Sequence, residues 1–130
     1  IMSYYISQKI NATSFEAAIE KTTAALKEQG FGVLTTIDMK VTLKAKIDKD
    51  IAPYTILGAC NPGFASQALE KENNVGVFLP CNVVVKQVDS GFEAVAVDPV
   101  ASMMAIPNSE LIAFAEEVKR MLSDALKTLS

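Results

Sequence analysis

Polar and apolar positions alternate from Tyr4 to Ile10, with Tyr4, Ile6 and Gln8 towards one side and Tyr5 and Ile10 towards the other, which predicts a first strand. The period then lengthens. Phe15, Ala18, Ile19, Thr22, Ala25 and Leu26 recur at helical spacing, so a helix is expected from about Ser14 to Gln29. Thr13 and Glu16 have the spacing of a capping box at its start, and Gly30 suits the left-handed turn that ends it. Phe31 to Ile37 reads as a second strand. Asp38 is placed to cap a short helix from Met39 to Ile47, where Val41, Leu43 and Ile47 make an irregular apolar face.

Asp48 to Asp50 reads as a turn, and Tyr54 to Ala59 as a third strand. Asn61 followed by Pro62 marks a helix start, because Asn caps and Pro at the first helical position forgoes an amide that has no partner there. Ala65, Ala68 and Leu69 carry that helix to a stop at Asn73-Asn74. Val75 to Val88 has strand character throughout, yet Pro80 cannot donate to a ladder, so a bulge, an edge position or a break is expected between Leu79 and Asn82. Asp89-Ser90-Gly91 is a hairpin turn signal, Phe92 to Val97 pairs back, and Asp98-Pro99 ends that strand.

After a loop through Met103, Met104 and Pro107, one apolar stripe runs through Leu111, Phe114, Ala115, Val118, Met121, Leu122, Ala125, Leu126 and Leu129. Asn108 or Ser109 caps this last helix, Glu110 suits its positive end, and Glu116 and Arg120 are spaced to pair. The order is β-α-β-α-β-α-β-β-α, without repeats or linkers. The Asp89–Gly91 hairpin opposes a wholly parallel sheet. The fold class expected is α+β, with an antiparallel or mixed sheet and the first and last helices packed on one face, since their stripes need a shared surface.

Composition narrows the function. The chain has 130 residues, one domain's worth over 1–130, half of them apolar, with a net charge of −3. Acidic and basic residues are interspersed, so no dominant nucleic-acid surface is expected. Lys40 and Lys44 share a helix face, but nothing Gly-rich or arginine-containing accompanies them, and a solvated lysine face is the simpler account than an anion site. No apolar run reaches the ~20 residues of a spanning helix, and no membrane role is expected. The N-terminal residues lack the features of a signal peptide, and Ile1 ahead of Met2 reads as a cloning remnant. Two cysteines without an export signal suggest reduced thiols in the cytoplasm.

Histidine is absent. The chain therefore supplies no Ser-His-Asp or Cys-His couple, no imidazole base and no imidazole metal ligand. The chemistry on offer is concentrated at two corners, Gly58-Ala59-Cys60-Asn61-Pro62 and Leu79-Pro80-Cys81-Asn82, each with a Cys-Asn pair after an apolar segment. Amides and dipole at the helix starting near Pro62 would favour a Cys60 thiolate and lower its pKa; space filling is the plainer role of a free cysteine. Cys60 and Cys81 are too far apart in sequence for a CxxC motif, so a redox pair or soft-metal site depends on their meeting in the fold. Asn61 and Asn82 could orient a ligand, although cap and turn duty also accounts for them. Tyr54 could line an apolar side. Asp98 reads as a strand-ending turn residue, and Met103-Met104 as core filler or interface in preference to a cofactor clamp.

The motifs GACNP at Gly58–Pro62, LPCNVVV at Leu79–Val85 and DP at Asp98-Pro99, in that order, resemble the bacterial and archaeal family called domain of unknown function 302. The segments SFEAAIEKTTAALKEQGFGVLTTID and DMKVTLKAKI resemble it too, so the likeness spans Met2 to Thr128. It implies a β-α-β(4)-α plan similar to the TATA-binding-protein type, with two short inserted helices, and a homodimer. It carries no established activity, so Cys60, Asn61, Pro62, Pro80, Cys81, Asn82, Asp98 and Pro99 transfer as motif positions without roles. The expectation is a small cytosolic binding or interaction domain, with a ligand site made by Cys60, Asn61, Pro80, Cys81, Asn82 and Tyr54. No catalytic residue, metal or cofactor is expected. The alternative is a thiol-dependent redox or soft-metal-binding protein using Cys60 and Cys81.

Overall fold

A computed structural model describes residues 3–130. The elements are β1 (Tyr5–Ile10), α1 (Phe15–Glu28), β2 (Gly32–Asp38), α2 (Met39–Ile47), β3 (Tyr54–Cys60), α3 (Pro62–Lys71), a 3-10 helix (Asn73–Phe78), β4 (Cys81–Val88), β5 (Gly91–Val97), α4 (Pro99–Met103) and α5 (Ser109–Lys127). The five strands form one sheet in the order β1-β5-β4-β3-β2, and every neighbouring pair is antiparallel. The expectation about Ile1 and Met2 lies outside the described residues.

One face of the sheet carries Leu57, Ala59, Cys81, Val83, Val85, Ala94 and Ala96, all buried in one core cluster with Leu26 of α1 and Leu122 and Leu126 of α5. The two long helices thus share that face. Withdrawing each such Leu from water contributes about 1.5–3 kcal/mol, against about 1 kcal/mol for a helix cap. The apolar stripes therefore decide where the helices sit, and the caps decide where they begin. Thr22 is the buried polar exception within α1, and its hydroxyl donates to the Ala18 carbonyl at 2.8 Å. A second cluster, Ala68, Val75, Met103, Leu111 and Ala115, fills the space between α3, α4 and the start of α5.

Several local expectations are corrected. Ser14, not Thr13, caps α1, its hydroxyl accepting from the Ala17 amide at 3.1 Å. Ser14 is the last extended residue, so Glu16 lies in the first turn beside the positive helix end and not in a reciprocal box. In β1 the partly and fully buried positions are Ile6, Gln8 and Ile10, so Ile10 shares a face with Ile6; the two-residue period runs unbroken from Tyr5. The apolar stretch before Pro80 is the 3-10 helix Asn73–Phe78, and β4 begins only at Cys81. Val75 reaches the second cluster from that 3-10 turn, and no ladder hydrogen bond is available from Pro80.

Asp98-Pro99 does end β5, but it also starts a helix, α4, which makes three short inserted helices where two were expected. Asp98 Oδ1 accepts from the amides of Val100 and Ala101 at 2.9 and 3.3 Å. Arg120 pairs with Glu117 and, at 3.1 Å, with Asp124, leaving Glu116 without that role; the guanidinium reaches one turn in each direction along its own face. Lys44 is held by Asp48 at 2.7 Å and Asp50 at 3.4 Å, and Lys40 donates to the Ile51 carbonyl at 2.8 Å. Both lysines are thus engaged with the loop that follows their helix.

Candidate functional site

The two Cys-Asn corners meet because β3 and β4 are neighbours. Ala59 pairs with Cys81 and Gly58 with Asn82, so the end of β3 lies beside the start of β4. Asn61 leaves β3 in an extended conformation, and its Oδ1 accepts from the Phe64 amide at 3.2 Å, capping α3 with Pro62 in the first turn. On the other corner the Leu79-Pro80 peptide is cis, and β4 starts at the next residue.

Two glycines make this crossing sterically feasible. A Cβ on Gly58 would lie 2.1 Å from Thr35 Oγ1 and 2.8 Å from Pro80 Cγ, so only a hydrogen fits between β2 and the proline ring. Thr35 is brought there by a register shift between Val33 and Thr35 in the β2–β3 ladder. Gly30, with φ of 85°, ends α1 and leaves room for the Asn61 amide, whose Nδ2 would be 3.0 Å from a Cβ at that position.

Between the sheet, α3, α4 and α5 lies a cavity of about 40 Å³. Cys60, Asn61, Pro80 and Cys81 line it together with Phe64, Met103, Phe114 and Val118. It is larger than the ~10–15 Å³ needed for one water, but its walls are almost wholly apolar, and a polar guest would forgo most of its hydrogen bonds. Phe64 and Phe114 meet edge to face across it, ring centres 4.9 Å apart.

Both cysteines are free, Cys81 buried and Cys60 partly so. Burial, and secondarily the neighbouring Cys60, pushes the Cys81 thiol up to about 11. Cys81 is therefore a neutral thiol at physiological pH and a poor nucleophile. Among the described residues no group of three or more Cys, Asp or Glu side chains is placed to hold a metal ion. No helix among them is long and apolar enough to cross a membrane.

The six residues expected at one ligand site divide four to two. Asn82 and Tyr54 lie on the opposite face of the sheet, lining an open groove of about 380 Å³ with Tyr4, Tyr5, Val84, Lys86, Glu93 and Val95. Strand alternation accounts for these two: Cys81 and Thr55 point to the helices, so Asn82 and Tyr54 point away, whereas Cys60 reaches the cavity as the last residue of β3, where the chain turns into α3.

The family model described as a domain of unknown function, DUF302, matches residues 6–129. The chain belongs to the DUF302 family. It is also similar to the crystal structure of an uncharacterised conserved DUF302 protein from Bacillus stearothermophilus, with a TM-score of 0.92 and 26% identity over 99% of this chain and 100% of that one. No curated protein matches.

Within this DUF302 fold, sequence reasoning missed the far wall of the cavity. Phe114 and Val118 were legible only as members of the last helix's stripe, and Met103 only as core filler or interface. A signal was nevertheless present, because Asp98-Pro99 repeats the cap-then-proline arrangement of Asn61-Pro62. Lys119 Nζ pairs with Asp98 Oδ2 at 2.8 Å, which fastens α4, and with it Met103, against α5.

Proposed function

We propose that this DUF302 chain is a small binding module of the cytoplasm, acting as a homodimer, whose ligand site is the apolar cavity at the Cys-Asn corners. The observation that carries the reading is the convergence of Cys60, Asn61, Pro80 and Cys81 on one small apolar space. The volume and apolar walls suit a small apolar or thioether-like group inserted from a larger partner or ligand, not a whole drug-sized molecule, which takes roughly 300 Å³ or more. The lack of histidine, and a Cys81 thiol held neutral, favour binding over covalent thiol chemistry. The run β1-α1-β2-β3-β4-β5-α5, with α2, α3 and α4 as insertions, supports reading the layout as TATA-binding-protein-like.

A second reading has one observation in its favour. Both cysteines line the same cavity, a first condition for a two-thiolate soft-metal or redox site. The high Cys81 pKa opposes it, since metal binding or oxidation must first remove that proton.

Xenon under pressure, observed through the methyl resonances of Met103, Val118 and Ala59, tests the binding reading. Shifts confined to those methyls are expected, and shifts no larger there than on the surface would defeat it. Titration with a soft monovalent metal tests the second reading. Stoichiometric uptake that disappears in Cys60→Ser and in Cys81→Ser would replace the first reading with the second.

A further inference from the structure

The face of the sheet turned away from α1 and α5 is patterned. Strand register lays three rows across it. Lys9 pairs with Glu93, Glu93 with Lys86 and Lys86 with Tyr54 in the first row. In the middle row Ser7 pairs with Val95, Val95 with Val84, Val84 with Ile56 and Ile56 with Ile37. The third row holds Tyr5, Val97, Asn82, Gly58 and Thr35. A stripe of four β-branched residues thus crosses four strands at right angles, and none of them belongs to either core cluster.

An antiparallel sheet with one face in solvent normally presents polar residues there. Here the centre of that face is Val95, Val84, Ile56 and Ile37, and Ile37 is 45% exposed. Beside it, α2 has no buried residue at all. We infer that this face is the interface between two copies of the chain, packed sheet to sheet with the Val95-Val84-Ile56-Ile37 stripe of each on the stripe of the other. The inference rests on the homodimer reading above and assigns it a surface.

Size and charge both fit a second copy. Five strands about 4.8 Å apart and about 20 Å long present roughly 480 Å² per copy, near 1,000 Å² for the pair before side-chain relief is counted, about the threshold for a specific interface. Lys9, Glu93 and Lys86 put all the charge of the three rows on one side of the stripe, with Lys86 and Glu93 3.6 Å apart. A two-fold axis lying along the stripe turns that charged row onto the uncharged row of Tyr5, Val97, Asn82 and Thr35. No like charges then meet, and each stripe residue faces its own counterpart.

Sedimentation of the chain and of Val84→Lys tests this. The wild-type chain is expected at twice its 14.0 kDa mass at micromolar concentration. Because each substitution acts twice in a two-fold contact, Val84→Lys is expected to weaken association by roughly a hundredfold while circular dichroism is unchanged. A wild-type monomer at about 100 µM, well above the weak end of the micromolar-to-picomolar range of standard interfaces, overturns both the dimer and this face. A Val84→Lys dimer of wild-type affinity overturns the face alone and leaves the dimer standing. Should that variant fail to fold, Val84→Cys in a Cys60→Ser background is treated with a short bismaleimide. Cross-linked dimer supports the proposal, and a dimer that stays uncross-linked refutes it.

Discussion

Asp98 and Lys119 meet at 2.8 Å, joining the N-cap of α4 to the middle of α5. The carboxylate is almost fully buried and also accepts two amide hydrogen bonds, so both of its oxygens are engaged. A residue that reads in sequence as the end of a strand thereby holds one wall of the cavity in place.

Asp98→Ala is expected to lower stability by about 2–3 kcal/mol, from a lost cap and an unpaired Lys119. Asp98→Asn keeps an acceptor for the amides and is expected to cost about half as much. Urea denaturation of the two variants checks this. Equal losses would mean that the cap contributes little and the ion pair dominates.

Gly58→Ala is expected to destabilise the fold by about 2 kcal/mol or more, because its methyl group would overlap Thr35 Oγ1 and the Pro80 ring. Thr35→Ala removes the nearer obstacle and is expected to recover part of that loss in the double variant. A double-mutant cycle in denaturant measures the coupling. Simple additivity would show that the backbone shifts instead of the side chains.

Stability should fall between about pH 9 and pH 11 through Cys81. Its folded-state pKa of about 11 lies above the ordinary 9.0, so over this interval the unfolded thiol loses its proton while the folded one keeps it. The unfolded state then binds fewer protons, and the unfolding free energy declines as pH rises. A two-unit difference corresponds to roughly 2–3 kcal/mol in total. Thermal melts of the wild type and Cys81→Ala across that interval isolate the effect, the variant being expected to show the shallower decline. Parallel slopes would show that Cys81 is not the responsible group. Iodoacetamide labelling of Cys81 in the folded chain should be slow at pH 8 and accelerate only near pH 11.

The hydrophobic periods of this sequence settle α1, α5 and the identity of all five strands, because those signals are local. A stripe at 3.6-residue spacing or an alternation of two needs only one element and a core to face. Asn61-Pro62 and Asn108 likewise mark helix starts through hydrogen bonds made within a few residues. The absence of histidine also restricts the chemistry before any fold is known.

What the tertiary structure alone decided is which residues share a space. Pairing of β3 with β4 puts Cys60 and Cys81 at one cavity, while the two-residue period of the same strands sends Tyr54 and Asn82 to the other face. The register shift at Thr35, the crossing at Gly58 and the clasp between Asp98 and Lys119 all join segments distant in the chain. Val75 to Phe78 has the composition of a strand and becomes a 3-10 turn because burial of Val75 against Met103 and Leu111 outweighs a weak local preference. Such contacts depend on strand register and helix packing, which no short window of residues encodes.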